Sequence, residues 1–177
     1  MVDVPSSAAE VIAALGLAAH AEGGFFRETF RAVEVVEAPQ GRRARATSIA
    51  FLLTADRPSR FHRLLSAELW VHHGGAPLEL RLLEPDGQAR SVLLGPVGGD
   101  AHPATCPTAR VPAHVWQAAR IVPALTAGGA AARSYLDWSL STCVVTPGFE
   151  YADFEIGRSD VLLAGWPQAA AVIGELT

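Results

Sequence analysis

Apolar and polar residues alternate most plainly in PLELRLLE, where Leu78, Leu80 and Leu82 fall on one face and Glu79 and Arg81 on the other. A period of two is that of an extended strand with one side against a core. Similar short runs surround it: SRFHRL, AELWVHH and ARSVLLG, separated by Ser66, by Gly74-Gly75 and by the turn signal EPDG. That is hairpin spacing. Upstream, ATSIAFLL carries an apolar run from Ile49 to Leu53, short enough for a buried strand and bounded by Asp56 and Pro58. Ahead of it, Gly23-Gly24 allows a tight bend, and the aromatic, Thr and Val residues that follow suit an extended strand. A return through Pro39 to Arg43 then leads into ATSIAFLL. Downstream, ARVPAHVWQAARIV reads as two strand pieces joined at Pro112 to His114, and WSLSTCVVT as the last clear strand.

Helical periodicity appears only near the ends. Ser7 with Glu10 three residues later is a capping-box pattern, and Val11, Ile12 and Leu15 share a face before Gly16 stops the run. This predicts a helix over about residues 6–15. SDVLLAGWPQAAAVIGEL predicts a helical segment over about residues 158–176, interrupted at Pro167. The Ala/Gly-rich stretch from Pro123 to Ala132 has little that packs and predicts an exposed loop. Many short strands at roughly 8–12-residue spacing, with helices only as trim, predict an all-β antiparallel sandwich or barrel. No repeat, linker or low-complexity tract divides it, so residues 1–177 are expected to form a single domain.

Composition narrows the partners. The net charge is −4, and all fourteen basic residues are Arg. No basic patch of the kind that phosphate backbones need is evident, so nucleic acid is not expected. The absence of Lys excludes a Schiff-base or P-loop lysine. Cys106 and Cys143 lie far apart without CxxC spacing and read as reduced thiols of a cytoplasmic protein. No run of about eighteen apolar residues occurs, so no membrane partner is expected.

The densest group of ionisable side chains lies between Ser59 and Glu84. His62 and Glu68 straddle the turn at Leu65 and Ser66, so an antiparallel hairpin would bring both to one face. An imidazole beside a carboxylate suits proton abstraction, the carboxylate raising ring basicity and fixing its tautomer. The same pair would also supply two metal ligands, or Glu68 simply pairs with Arg60 or Arg63 on a solvated face. His72 and His73 are consecutive and point to opposite faces of a strand; parity puts His72 on the side of Glu68 and Trp70. Either also fits as a turn residue before the glycines. Trp70 and Trp116 read as core or pocket wall. Arg27, Arg60 and Arg120 lie in strand-like segments, and an inward Arg would clamp an anion. His20 and His102 stand in loops and are given no role.

The motifs LAAHAEGGFFRETFR, TSIAFLL, SRFHRLLSAELWVHHGGAPLELRLLEPDG, VPAHVWQAAR and VTPGFEYADFE, in this order, resemble the small single-domain cupin family often labelled predicted sugar epimerases. The resemblance runs from about Leu15 to the final helix. It implies a cupin jelly-roll barrel, a double-stranded β-helix, and a homodimer. Against the general cupin signature His-x-His-x(3 to 4)-Glu … Pro-x-Gly-x-x-His, His62 and Glu68 match. Leu64 and Gln117 stand where two further histidines would be. Two of four ligands remain, so no metal cofactor is expected; a divalent metal, if present, would draw on His62, Glu68 and Gln117, with His72 or His114. The metal-free arrangement is similar to that of the dTDP-sugar epimerase branch. Within the small family the chain departs at Ala21, Val71, Ala76 and His114; His114 stands at a usual Gly, and His tolerates a positive φ there.

Three readings follow. The first is a metal-independent epimerase or isomerase acting on a small polar, carbohydrate-like molecule, with His62 as base and Glu68 as acidic or orienting partner. Arg60, Trp70, His72, His114 and Gln117 would then contact substrate. The second is a non-catalytic small-molecule-binding cupin using the same groups. The third is a metal-dependent cupin enzyme.

Overall fold

The alternation in the sequence resolves into two antiparallel sheets laid face to face. The structure is a computed structural model and describes residues 7–97, 105–122 and 136–177. In chain order the strands are β1 (Ala18–Ala19), β2 (Phe25–Arg31), β3 (Val35–Ala38), β4 (Gly41–Ala44) and β5 (Thr47–Thr54). They continue as β6 (Ser59–Leu64), β7 (Ala67–Gly75), β8 (Leu78–Leu83) and β9 (Ala89–Leu94). The last are β10 (Thr108–Val111), β11 (Trp116–Ile121), β12 (Trp138–Thr146) and β13 (Phe154–Ile156). The helices are α1 (Ala8–Leu15), α2 (Ser159–Gly165) and α3 (Ala170–Glu175). Among the described residues one sheet has the order β1-β2-β5-β12-β7-β10 and the other β13-β6-β11-β8-β9. A separate hairpin pairs β3 with β4.

Parity decides what each strand gives to the interior. Phe51 and Leu53 on β5, Trp70 on β7 and Leu78, Leu80 and Leu82 on β8 pack together between the sheets, each at most 1 % exposed. Several outward-facing side chains are covered as well. Leu52 packs under Val11 of α1, with Trp138. Phe61 and Trp116 pack under Leu162, Ile173 and Leu176 of the C-terminal helical segment. Strands buried on both faces explain why Ile49 to Leu53 reads as an unbroken apolar run rather than an alternation.

Several sequence expectations are met residue by residue. Ser7 and Glu10 form the reciprocal capping box and Gly16 ends α1 in the left-handed region at φ 61°. EPDG closes the β8–β9 hairpin. His114 has φ 66°. Pro167 divides α2 from α3, with a 3-10 turn over Pro167–Ala169 between them. The stretch from Pro123 to Ala132 lies outside the described residues. No helix among the described residues is long and apolar enough to cross a membrane.

Two expectations need correction. His62 and Glu68 do not sit on the arms of one hairpin: β6 pairs with β11 and β13, whereas β7 pairs with β12 and β10. The chain crosses from one sheet to the other at Leu65 and Ser66, so the two side chains approach from opposite walls. WSLSTCVVT is not the last strand either, because Phe154–Ile156 adds β13 beside β6, after a 3-10 turn over Tyr151–Asp153.

Candidate functional site

One end of the space between the sheets is a cavity of about 140 Å³. Four buried or half-buried ionisable side chains meet in it: His20, Glu22, His62 and Glu68. His62 comes from β6 and Glu68 from β7, while His20 and Glu22 come from the turn that joins β1 to β2. Sequence reasoning passed over both residues of that turn.

The turn is tightly determined. Gly23 N–H bonds to His20 O at 3.2 Å, and His20 N–H to Gly24 O at 3.1 Å. Gly23 has φ 122°, and a Cβ there would lie 1.9 Å from the carbonyl oxygen of Pro58. Only glycine fits. Arg60 anchors the turn from outside, its guanidinium donating to Ala21 O at 2.7 Å and Glu22 O at 3.3 Å. Glu22 Oε1 accepts from Ser59 Oγ at 2.9 Å. The carboxylate is therefore held inward by its own backbone. Gly23→Ala is expected to destabilise the protein by roughly 2 kcal/mol or more, since strain and a backbone clash act together. A melting temperature unchanged from the wild type would contradict the tight fit.

His62 is 2 % exposed. Its Nδ1 lies 2.9 Å from Arg60 O, and because a carbonyl only accepts, Nδ1 carries the hydrogen. In the neutral ring Nε2 is then a bare lone pair, and it stands 3.4 Å from Glu22 Oε2. Burial lowers the His62 pKa, opposed by the charge of Glu68 and the bond to Arg60. Burial lifts Glu22 to about 7, opposed by His20, Ser59 and Arg60. It lifts Glu68 to about 7 as well; His62 opposes this, Glu22 adds to it, and bonds from Gln117 and Cys143 oppose it. Glu22 is the near carboxylate of His62, and Glu68 acts on the ring across the cavity. His20 accepts the Glu22 N–H at Nδ1 and lies 3.4 Å from Glu22 Oε2; burial lowers its pKa, opposed by Glu22 and reinforced by His62. Burial thus moves the two kinds of group in opposite directions, the histidines down and the carboxylic acids up.

Behind Glu68 a chain of bonds fixes its direction. Trp70 Nε1–H donates to Gln117 Oε1 at 3.0 Å, which turns the amide so that Gln117 Nε2–H donates to Glu68 Oε2. Trp70 and Gln117 thus hold the carboxylate rather than line the cavity. The Cys143 thiol, kept protonated by burial, lines the cavity beside Glu68. Arg60 and His114 do not line the cavity, and His114 occupies the left-handed turn before β11. His72 is half-buried, its Nε2 3.2 Å from Ala76 O. His73 sits at a register shift, with Nε2 2.6 Å from Thr142 Oγ1. At the mouth, Phe149 and Tyr151 meet edge to face at 5.1 Å, and Tyr151 lies parallel to His20 at 6.4 Å.

The residues do not fit the four-ligand metal of the general cupin signature. Leu64 turns hydrocarbon into the cavity where a histidine would bind, and both ends of the Gln117 amide are taken by Trp70 and Glu68. Among the described residues no three His, Cys, Asp or Glu side chains are placed to hold a metal ion.

Two facing antiparallel sheets enclosing a polar site at one end define a cupin barrel. Residues 9–157 match the family described as Cupin superfamily (DUF985), and the chain belongs to it. It is 33 % identical to a hypothetical protein from Leishmania major, with TM-score 0.82 over 97 % of this chain and 98 % of that one. A Shewanella oneidensis protein is 30 % identical, with TM-score 0.81 over 98 % of both chains. An uncharacterised protein of Saccharomyces cerevisiae is 29 % identical over 190 residues, which cover 99 % of this chain and 89 % of the yeast protein. Bacillus subtilis oxalate decarboxylase, 14 % identical with TM-score 0.52 over 90 % of this chain and 36 % of its own, shares the fold alone.

Proposed function

We propose that the cavity is an acid–base site for a small polar molecule of carbohydrate type, and that its reaction removes a proton from carbon and returns it: epimerisation or isomerisation. The observation that carries this reading is the Nδ1–H bond from His62 to Arg60 O, which leaves Nε2 bare inside the cavity. With Glu22 ionised, Nε2 takes a proton from a carbon next to a carbonyl. The C–H electron pair passes into the carbon–carbon bond as the carbonyl becomes an enol or enolate. The imidazolium so formed is stabilised by Glu22 at 3.4 Å. Inversion needs a proton returned to the opposite face, and Glu68, protonated and projecting from the other sheet, faces His62 from that side. The aromatic rings at the mouth suit the apolar face of a sugar ring.

Proton exchange into D2O tests this. Proton NMR of free aldoses and ketoses incubated with the protein is expected to show loss of one C–H signal next to a carbonyl. The rate should peak near neutrality. It falls at lower pH as Glu22 is protonated and at higher pH as Glu68 loses its proton, both carboxyls titrating about 7 as a coupled pair. Saturable binding of a panel member with no exchange at any pH would identify a binding module and reject the catalytic reading.

A further inference from the structure

The mouth of the cavity carries one cation among the described residues, and four of its five N–H groups are engaged. Arg31 Nε and Nη2 donate to the two oxygens of Glu28 at 3.2 and 2.8 Å. Nη1 donates to Glu150 Oε1 at 2.9 Å, and Nη2 also reaches Phe149 O at 3.3 Å. Four carboxyl groups, Glu22, Glu28, Glu68 and Glu150, line the same cavity. Arg43 is held by both oxygens of Asp153 at 2.6 and 2.7 Å, and Arg60 sits behind the wall on backbone carbonyls.

An entering phosphate or carboxylate would have to compete with two carboxylates for Arg31 while approaching the ionised Glu22. Both costs are Coulombic and unfavourable. A molecule with hydroxyl groups meets no such barrier. It donates to the carboxylates and to His62 Nε2, and it accepts from Thr47, whose oxygen already takes the Phe149 N–H at 2.9 Å and leaves its hydrogen free. We infer that the molecule this site takes is an uncharged, unphosphorylated sugar or polyol, and that Glu28 and Glu150, by occupying Arg31, turn away its phosphorylated and carboxylated relatives. The inference rests on the reading of the barrel as a small-molecule acid–base site and adds the charge class of the substrate.

The test uses inorganic phosphate and matched sugar pairs, with the ring resonances of His62 and Tyr151 as reporters. In the wild type phosphate is expected to leave these signals unmoved. In the Glu28→Gln/Glu150→Gln double variant, which frees Arg31, it is expected to shift them saturably, with binding at least about tenfold stronger. Of an aldohexose and its phosphate ester, the wild type should bind the free sugar at least about tenfold more tightly. Saturable phosphate binding by the wild type, or preference for the ester, overturns the inference, and both measurements on the wild type stand whether or not the double variant folds. Deuterium exchange is read separately. Exchange absent with the charge preference intact removes the catalytic reading and leaves this one, whereas preference for the ester with exchange intact does the reverse.

Discussion

His62→Asn should leave the barrel folded and the cavity able to bind, while slowing proton exchange by roughly 10²–10⁴-fold, the range over which a positioned general base contributes. Asn places a nitrogen donor near the position of Nδ1, so the bond to Arg60 O can persist, and it deletes Nε2 altogether. What is lost is the lone pair, not the anchor. Binding of the same molecule by calorimetry, set beside the exchange rate, separates the two contributions. Unchanged exchange would remove His62 from the chemistry. Loss of binding and exchange in equal measure would reassign it to orientation alone.

Glu22→Gln is expected to be more stable than the wild type in mild alkali, by a margin that grows with pH. Burial lifts this carboxyl from 4.5 to about 7, so the native chain keeps a proton that the unfolded chain releases. The stability contributed by this group is full below about pH 4.5 and is lost as pH rises through about 7. For one group taken alone, that interval corresponds to roughly 3 kcal/mol. Gln cannot ionise, retains an acceptor for Ser59, and presents a donor to His62 Nε2. Denaturant melts should therefore show little advantage at about pH 4.5 and on the order of 1–3 kcal/mol above about pH 8. A variant less stable than the wild type at the higher pH would show that the ionised carboxylate is well accommodated where it lies. The histidines act with opposite sign. Their pKa values are lowered, so their contribution is full above about 6.5 and is lost as pH falls through the folded value. That loss on the acid side should appear in both proteins.

The faces of strands were legible in the chain, and their partners were not. Leu78, Leu80 and Leu82 announce an inward face because period two is a local property of the backbone. Ser7 with Glu10, and His114 at a positive φ, are equally local. Whether SRFHRL pairs with AELWVHH is decided elsewhere, by Trp116–Ile121 and Phe154–Ile156, which flank β6 from far downstream. The spacing of His62 and Glu68 marked both residues, and both line the cavity, but the hairpin that seemed to join them does not exist. Glu22 escaped notice because a turn with two glycines reads as a bend and nothing more. Its signal was the combination His20-x-Glu22-Gly-Gly: two titratable side chains two residues apart, leading into a strand through a backbone that only glycine accepts. Phe154–Ile156 was too short to register as a periodic segment.

The strand that bears His62 is completed late. Phe61 N–H bonds to Leu176 O at 2.7 Å, Gly157 N–H returns to Phe61 O at 2.7 Å, and Phe154–Ile156 lies alongside. On a ribosome, the strand that carries the imidazole therefore waits with a bare edge until residues 154–176 have emerged. The turn bearing Glu22 has by then long been synthesised.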